Sequence, residues 1–180
     1  MLEIFKSNPA VSMLKEDHDR VQRLFDQFEK AKDKPAKRKI VREALTELKV
    51  HAAIEEELFY PAVRKTIGQE IMNEADEEHH VAKVLVAELE KMTGDEDHWD
   101  AKFKVLAESV RHHIKEEEGE MMPKIKGKGS EMEDLGVRMA ERKEELKENP
   151  DSLGKKPRGS ASSGARKSSS RTGSSHRRAS

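Results

Sequence analysis

The sequence predicts an all-α protein: an up-down-up-down four-helix bundle with a short C-terminal fifth helix and a disordered basic tail. The main observation is that apolar residues recur at alternating steps of three and four in four long segments, the spacing of helices that face a bundle axis. Charged residues make up 39% of the 180 residues, hydrophobic residues 34% and aromatic residues 4%. This composition suits helices with narrow apolar stripes. No segment alternates apolar and polar residues as a strand would, so no sheet is predicted.

Proline, glycine and capping residues mark the ends of the helices. Asn8 and Pro9 start the first helix, because asparagine caps a helix and proline is tolerated in its first turn. Pro35 starts the second helix, Pro61 ends or kinks it, and Gly68 separates it from the third. The short connections on both sides of the third helix predict antiparallel neighbours. The five predicted helices comprise residues 9–32, 34–66, 69–92, 96–122 and 131–148.

Each long helix carries a seam of positions that should face the bundle axis. In helix order, the apolar seam residues are Val11, Leu14, Val21, Phe25 and Phe28; Val41, Ala44, Leu48, Leu58 and Ala62; Met72, Ala75, Ala82, Val86 and Leu89; and Trp99, Phe103, Leu106, Val110 and Met121. The last step of the fourth seam, from Glu117 to Met121, is one residue longer than the alternation requires.

The last 32 residues differ in composition from the rest of the chain. Residues 149–180 contain ten serines, eight lysines and arginines and one aspartate, a net charge of +7, so residues 1–148 carry −8 of the total of −1. Such a segment buries too little apolar surface to offset its ordering entropy. We therefore predict one bundle domain over residues 1–148 and a disordered Ser/Gly/Arg-rich basic tail over 149–180. The tail could contact nucleic acid or another acidic partner weakly, but it has no aromatic residue for base stacking.

Several classes of protein are excluded by what the sequence lacks. The absence of cysteine excludes disulfides, thiolate metal sites and cysteine nucleophiles. No apolar run approaches the roughly 18 residues of a membrane span. The first residues are interrupted by Lys6, Asn8 and Pro9, which is not typical of a signal peptide. We therefore expect a cytoplasmic protein without a membrane partner.

Polar residues interrupt every seam, and they are the strongest indication of function. Ionised carboxylates are rarely buried unless they are paired or bind a metal. Glu55 and Glu117 each follow a seam histidine by four residues, which places both side chains on one helix face about one turn apart. Four imidazoles and two carboxylates in one layer suit two metal ions; iron or manganese is favoured, and zinc is not excluded. The predicted metal ligands are His18, His51, Glu55, His79, His113 and Glu117.

The motifs around these residues resemble the hemerythrin-like family, the HHE cation-binding domain. The resemblance covers about residues 10–148 and implies a four-helix bundle with a non-haem di-iron centre, for which the six residues above match the ligand positions. It implies that the protein binds O2 or a related small oxidant, peroxide or NO, for carriage, sensing, scavenging or iron handling. It favours a binding protein over an enzyme, with a weak peroxide- or NO-consuming activity left open. The motifs are Glu16-Asp17-His18, His51-Ala52-Ala53-Ile54-Glu55-Glu56-Glu57-Leu58-Phe59-Tyr60-Pro61, Glu77-Glu78-His79 and His113-Ile114-Lys115-Glu116-Glu117, followed by Pro123.

The third helix departs from the pattern of the oxygen-carrying members. These have a His-x-x-x-His pair there, whereas Lys83 stands four residues after His79. His80 and His112, which neighbour seam histidines, remain candidates to replace or to add to the six ligands. The native metal, the physiological small ligand and the oligomeric state also stay open.

Three further residues are expected near the site, and one alternative function remains. Glu56 and Glu116 neighbour the two seam glutamates and could contact the ligands from outside. Tyr60 could donate a hydrogen bond near the site or pack at its boundary. His98 and His176 have no assigned role. The alternative is a metal-free helical interaction protein that uses its basic tail as a binding arm.

Overall fold

The computed structural model describes residues 8–125 and 129–153, and regular structure in these ranges is entirely helical. The helices are α1 (Pro9–Lys30), α2 (Lys34–Ile54), α3 (Tyr60–Ile67), α4 (Gln69–Leu89), α5 (Trp99–Glu116), α6 (Met122–Ile125) and α7 (Gly129–Glu148). A π-helical turn, Glu55–Phe59, joins α2 to α3, and a second, Glu117–Met121, joins α5 to α6. The helices α1, α2–α3, α4 and α5–α6 form the predicted up-down-up-down bundle, and α7 packs on α1 and α2.

The starts of the first helices follow from local side-chain chemistry. The Asn8 side chain accepts hydrogen bonds from the first backbone N–H groups of α1, and Asp33 does the same for α2. Gly68 separates α3 from α4 with a φ of 102°, a conformation that glycine adopts without a steric cost. The predicted start of the fourth helix at Glu96 is three residues too early. Glu96 instead accepts hydrogen bonds from backbone N–H groups of the preceding turn, and α5 begins at Trp99.

Two apolar clusters form the core, one on each side of the histidines. The first apolar cluster includes Leu14 and Ile54 and is covered by α7. The second apolar cluster includes Val21, Phe28 and Phe103, and lies toward the other end of the bundle. His18, between Leu14 and Val21 in α1, therefore separates the two clusters. This arrangement places the polar seam residues in a single layer inside the bundle.

The two π-helical turns shift the seams by one residue. A π turn contains one residue more than an α turn, so the residues after it are rotated relative to the α-helical pattern. The prediction of Ala62 as a seam residue is wrong, because Ala62 is exposed and Val63 is buried in its place. The second π turn accounts for the longer last step in the fourth seam, since Met121 is buried.

The helix α7 and the residues after it close one end of the bundle. Gly136 of α7 lies against α1 so closely that a Cβ atom there would be 2.8 Å from Pro9 Cβ. Residues 149–153, which the sequence assigns to the tail, are folded in the structure. Pro150–Ser152 forms a short 3-10 helix, and the Ser152 carbonyl accepts a hydrogen bond from Arg142. The remainder of the predicted tail, residues 154–180, lies outside the described residues.

None of the helices in the described ranges is both long enough and apolar enough to cross a lipid bilayer.

Candidate metal centre

The structure brings all six predicted ligands into one buried layer between the two apolar clusters. We call these six residues the polar layer. Glu55 and Glu117 have no exposed surface, and each of the four histidines is less than a tenth exposed. All four imidazoles direct Nε2 toward the interior of the layer. The residues of the polar layer are His18, His51, Glu55, His79, His113 and Glu117.

The first group of donors comes from α1, α2 and the two π turns. His18 Nε2 lies 3.2 Å from His51 Nε2 and 3.1 Å from Glu117 Oε2. His51 Nε2 lies 3.2 Å from Glu55 Oε2. One donor atom from each of these four residues lies within 4.8 Å of the other three. Two imidazoles and two carboxylates at such distances surround a space of the size that one metal ion needs.

The second group shares Glu55 with the first. His79 Nε2 lies 3.2 Å from His113 Nε2 and 3.3 Å from Glu55 Oε2. The hydroxyl of Tyr60 lies 3.1 Å from His79 Nε2 and 3.3 Å from His113 Nε2. The phenol oxygen of Tyr60 thus lies beside the second group, which has three donors where the first group has four. Tyr60 is buried and its hydroxyl faces the polar layer. Of the two roles that the sequence left open, a hydrogen bond near the site and packing at its boundary, the first fits this position.

Among the described residues, no hydrogen bond of good geometry compensates the burial of the two carboxylates of the polar layer. In the described part of the chain, none of the four oxygens of Glu55 and Glu117 has a hydrogen-bond partner, although ring nitrogens lie 3.1 to 3.3 Å away. A buried carboxylate without compensation costs several kcal/mol. The donor set therefore fits a cation, because a metal ion would satisfy these oxygens and neutralise their charge.

The pKa values reflect this crowding of charges. Burial opposes the charged form of His51, but the charge of Glu55 and the nearby carboxylate of Asp17 raise its pKa to about 10. Burial also opposes the charged form of His79, but its contacts with the carboxylates of Glu55 and Glu56 raise its pKa to about 9. Burial would raise the pKa of Glu55, yet His51 and His79 hold it well below its usual range. Burial and the neighbouring charge of Glu55 raise the pKa of Glu117.

A carboxylate outside the polar layer faces the Nδ1 atom of each histidine. Such contacts fix the ring orientation and keep Nε2 directed at the interior. Three of these contacts are hydrogen bonds and the fourth is a longer ion pair. The Nδ1-to-carboxylate distances are 2.8 Å for His18 and Glu118, 2.9 Å for His79 and Glu56, 2.7 Å for His113 and Glu78, and 3.7 Å for His51 and Asp17.

The sequence predicted only part of this outer set. Glu56 contacts His79, as expected, whereas Glu116 does not reach the layer and pairs with the exposed His112 at 3.1 Å. Glu118, and not Glu116, contacts a histidine of the polar layer from outside, namely His18. The reason is that the π turn rotates the residues that follow Glu117. Asp17 directly precedes His18 in α1, but its carboxylate faces His51 of α2. Sequence spacing gives no indication of such pairing between helices.

The other histidines of the described ranges, and Lys83, lie outside the polar layer. His80 and His98 are exposed, and the His112 side chain is 61% exposed. Lys83, which occupies the place of a second histidine in the third helix, forms hydrogen bonds of 2.8 and 3.0 Å with Glu56. Among the described residues, Tyr60 is therefore the additional donor nearest to the second group.

Comparisons with known proteins find relatives of this chain. The sequence model of the Hemerythrin HHE cation binding domain matches residues 10–125. The uncharacterized protein Rv2633c of Mycobacterium tuberculosis is 32% identical over 114 residues, which cover 60% of this chain and 68% of that protein. A DNA nickase of Nostoc sp. is 25% identical over 114 residues, 63% of this chain but 32% of the nickase. The chain thus spans about a third of the length of that relative.

A solved structure has the same fold. The crystal structure of a Hemerythrin HHE cation binding domain-containing protein from Mycobacterium kansasii, a homolog of Rv2633c, aligns with a TM-score of 0.67 at 26% identity. The alignment covers 77% of this chain and 87% of that chain.

Proposed function

Because this chain belongs to the hemerythrin HHE cation-binding domain family, we propose that it is a non-haem di-iron protein that binds O2 or a related small oxidant. The observation that carries the proposal is the set of four buried oxygens of Glu55 and Glu117, which face imidazole nitrogens but form no hydrogen bond with any described residue. Two cations would satisfy these oxygens more fully than the imidazoles that face them. Nitrogen and oxygen donors without thiolate suit iron or manganese, and zinc is not excluded.

The two donor groups would hold one ion each. His18, His51, Glu55 and Glu117 would hold the first ion, and Glu55, His79 and His113 the second. Because Glu55 belongs to both groups, its carboxylate would help to hold both ions. When bound, iron supplies the electrons and the open coordination position that a small oxidant such as O2, peroxide or NO requires.

The protein's own residues define where a small ligand would enter. The second group has one carboxylate fewer than the first, so it leaves more room for an exogenous ligand. Burial and the charges of Glu55 and Glu117 raise the pKa of Tyr60 well above its usual range. Its hydroxyl therefore keeps its proton in the metal-free protein and can donate a hydrogen bond toward the second group.

Anaerobic loading with ferrous iron tests this proposal. After removal of unbound metal, we expect two irons per chain and an optical spectrum that gains a charge-transfer band on exposure to air. Two irons with a spectrum that is insensitive to air, peroxide and NO would contradict the oxidant-binding function. A chain that keeps no iron, manganese or zinc would contradict the metal site and support the alternative, a metal-free interaction protein.

A further inference from the structure

A cavity of about 580 Å³ leads from the surface between α2 and α4 to the polar layer. The cavity exists because α2 and α4 make few direct contacts with each other. Its inner end is formed by the four histidines of the polar layer, His18, His51, His79 and His113. Its walls are mainly small or branched apolar side chains, namely Val21, Leu48, Ala52, Ala53, Ala82 and Val86.

The cavity is much larger than a small oxidant needs. A diatomic molecule is comparable in size to a water molecule, which occupies roughly 30 Å³. Pockets that enclose organic molecules have volumes of about 300–1,000 Å³, mostly apolar walls and a few polar groups at defined places. The observed volume and lining match this second class. Away from the opening, the polar groups are the imidazoles at the inner end, the hydroxyl of Ser109, and the carboxylates of Glu57 and Glu78, which pair with Arg142 and His113.

Two ion pairs, which α4 makes with α2 and with the first π turn, lie at the opening of the cavity. Lys49 pairs with Glu90, and Lys83 pairs with Glu56. All four side chains are at least a third exposed, so each pair is weak and can separate at little cost. Because the charges at the opening are matched, the entrance does not select for an anion or a cation.

We propose that this cavity binds an uncharged organic molecule with an apolar body and one polar end, such as a medium-chain alcohol or a phenol. The apolar body lies between α2 and α4, and the polar end reaches the imidazoles and Ser109. The inference deepens the proposed function, on which it rests only for the contact between the polar end and a bound metal. Binding in the apolar part depends on the cavity alone and therefore also occurs in the metal-free protein.

The test uses 1-aminoanthracene, an uncharged fluorescent probe, with the full chain in metal-free and anaerobic iron-loaded forms. We expect saturable binding of one probe per chain in both forms. 1-Octanol displaces the probe, and decanoate, which carries a charge, displaces it about tenfold less effectively. Absence of saturable binding, or equal displacement by decanoate, would overturn the proposal. Saturable probe binding by a chain that takes up no iron would contradict the proposed function alone.

Two substitutions that fill the cavity locate the bound probe. Ala82→Phe on α4 and Ala52→Leu on α2 narrow it from opposite walls, and each should weaken probe binding by about tenfold or more. Val81→Phe is the matched control, because Val81 lies on the same helix but is 48% exposed. Circular dichroism shows which variants fold. If the folded filling variants bind the probe as well as the Val81→Phe protein does, the probe lies elsewhere and the proposal is wrong.

Discussion

At the residue scale, Glu55 differs from the other proposed ligands because it belongs to both donor groups. Its Oε2 atom lies 3.2 Å from His51 Nε2 in the first group and 3.3 Å from His79 Nε2 in the second. The other five residues of the polar layer each belong to one group. Loss of Glu55 therefore affects both ion positions, whereas loss of a histidine affects one.

This difference predicts distinct iron contents for two variants. Glu55→Gln keeps the shape of the side chain but removes its charge, so it should retain almost no iron. His113→Ala should keep about one iron per chain, because the first group is complete without it. Iron is measured by mass spectrometry after anaerobic loading and desalting. Glu116→Gln and His80→Ala are the controls and should keep two irons. Equal losses in Glu55→Gln and His113→Ala would show that the two positions are not separable as proposed.

Glu96 provides a second prediction at the residue scale, far from the polar layer. Hydrogen bonds from the backbone N–H groups of Thr93, of Glu96 itself and of Gly94 lower the pKa of Glu96 to about 2. Because the pKa of Glu96 is lower in the folded turn, its ionised carboxylate stabilises the turn when the pH is above the ordinary carboxyl pKa of 4.5. This stabilisation is lost as the pH falls through about 2. In an NMR titration, the amide signals of Thr93 and Gly94 should shift with a midpoint near 2. Glu96→Gln should abolish that shift, and a midpoint near 4.5 would contradict the capping role.

At the element scale, the two π-helical turns explain most differences between expectation and structure. The 3,4 spacing predicted the four long helices and the burial of all six polar-layer residues, because burial follows a helix face. Spacing does not encode a π turn, so the exposure of Ala62 and the contact between Glu118 and His18 were not predictable. Tyr60 and Glu78 reach histidines of other helices, and such contacts depend on how helices are rotated against each other.

Two helical glycines give a prediction about these elements. Gly119 lies in the second π turn with open space around it, whereas Gly136 of α7 is packed against Pro9. Gly119→Ala should stabilise the metal-free protein by about 0.5–1 kcal/mol, since alanine loses less backbone entropy than glycine. Gly136→Ala should destabilise it by about 1–3 kcal/mol, because its Cβ would lie 2.8 Å from Pro9 Cβ. Urea unfolding measures both, and a stable Gly136→Ala protein would show that α7 can move away from α1.

At the scale of the whole molecule, the polar layer divides the core into two parts. The first apolar cluster is completed by α7, where buried Arg142 donates hydrogen bonds to Glu57 and to the Ser152 carbonyl. The second apolar cluster contains most of the aromatic side chains, including Phe25, Phe28 and Trp99. Neither cluster extends across the layer between them. The stability of the bundle should therefore depend on whether the charges of that layer are compensated.

Metal binding should consequently stabilise the whole bundle rather than one end of it. In the metal-free protein, the protonated imidazoles of His51 and His79 compensate the buried carboxylates only in part. A ligand that binds only the folded state at 100 times its dissociation constant adds about 2.7 kcal/mol, so anaerobic ferrous iron should raise the melting temperature clearly. The double variant Glu55→Gln/Glu117→Gln removes both buried charges and should gain nothing from iron. Thermal unfolding followed by circular dichroism compares the two proteins. If the unsubstituted chain melts at the same temperature with and without iron while it holds two irons, compensation of the polar layer does not control the stability of the bundle.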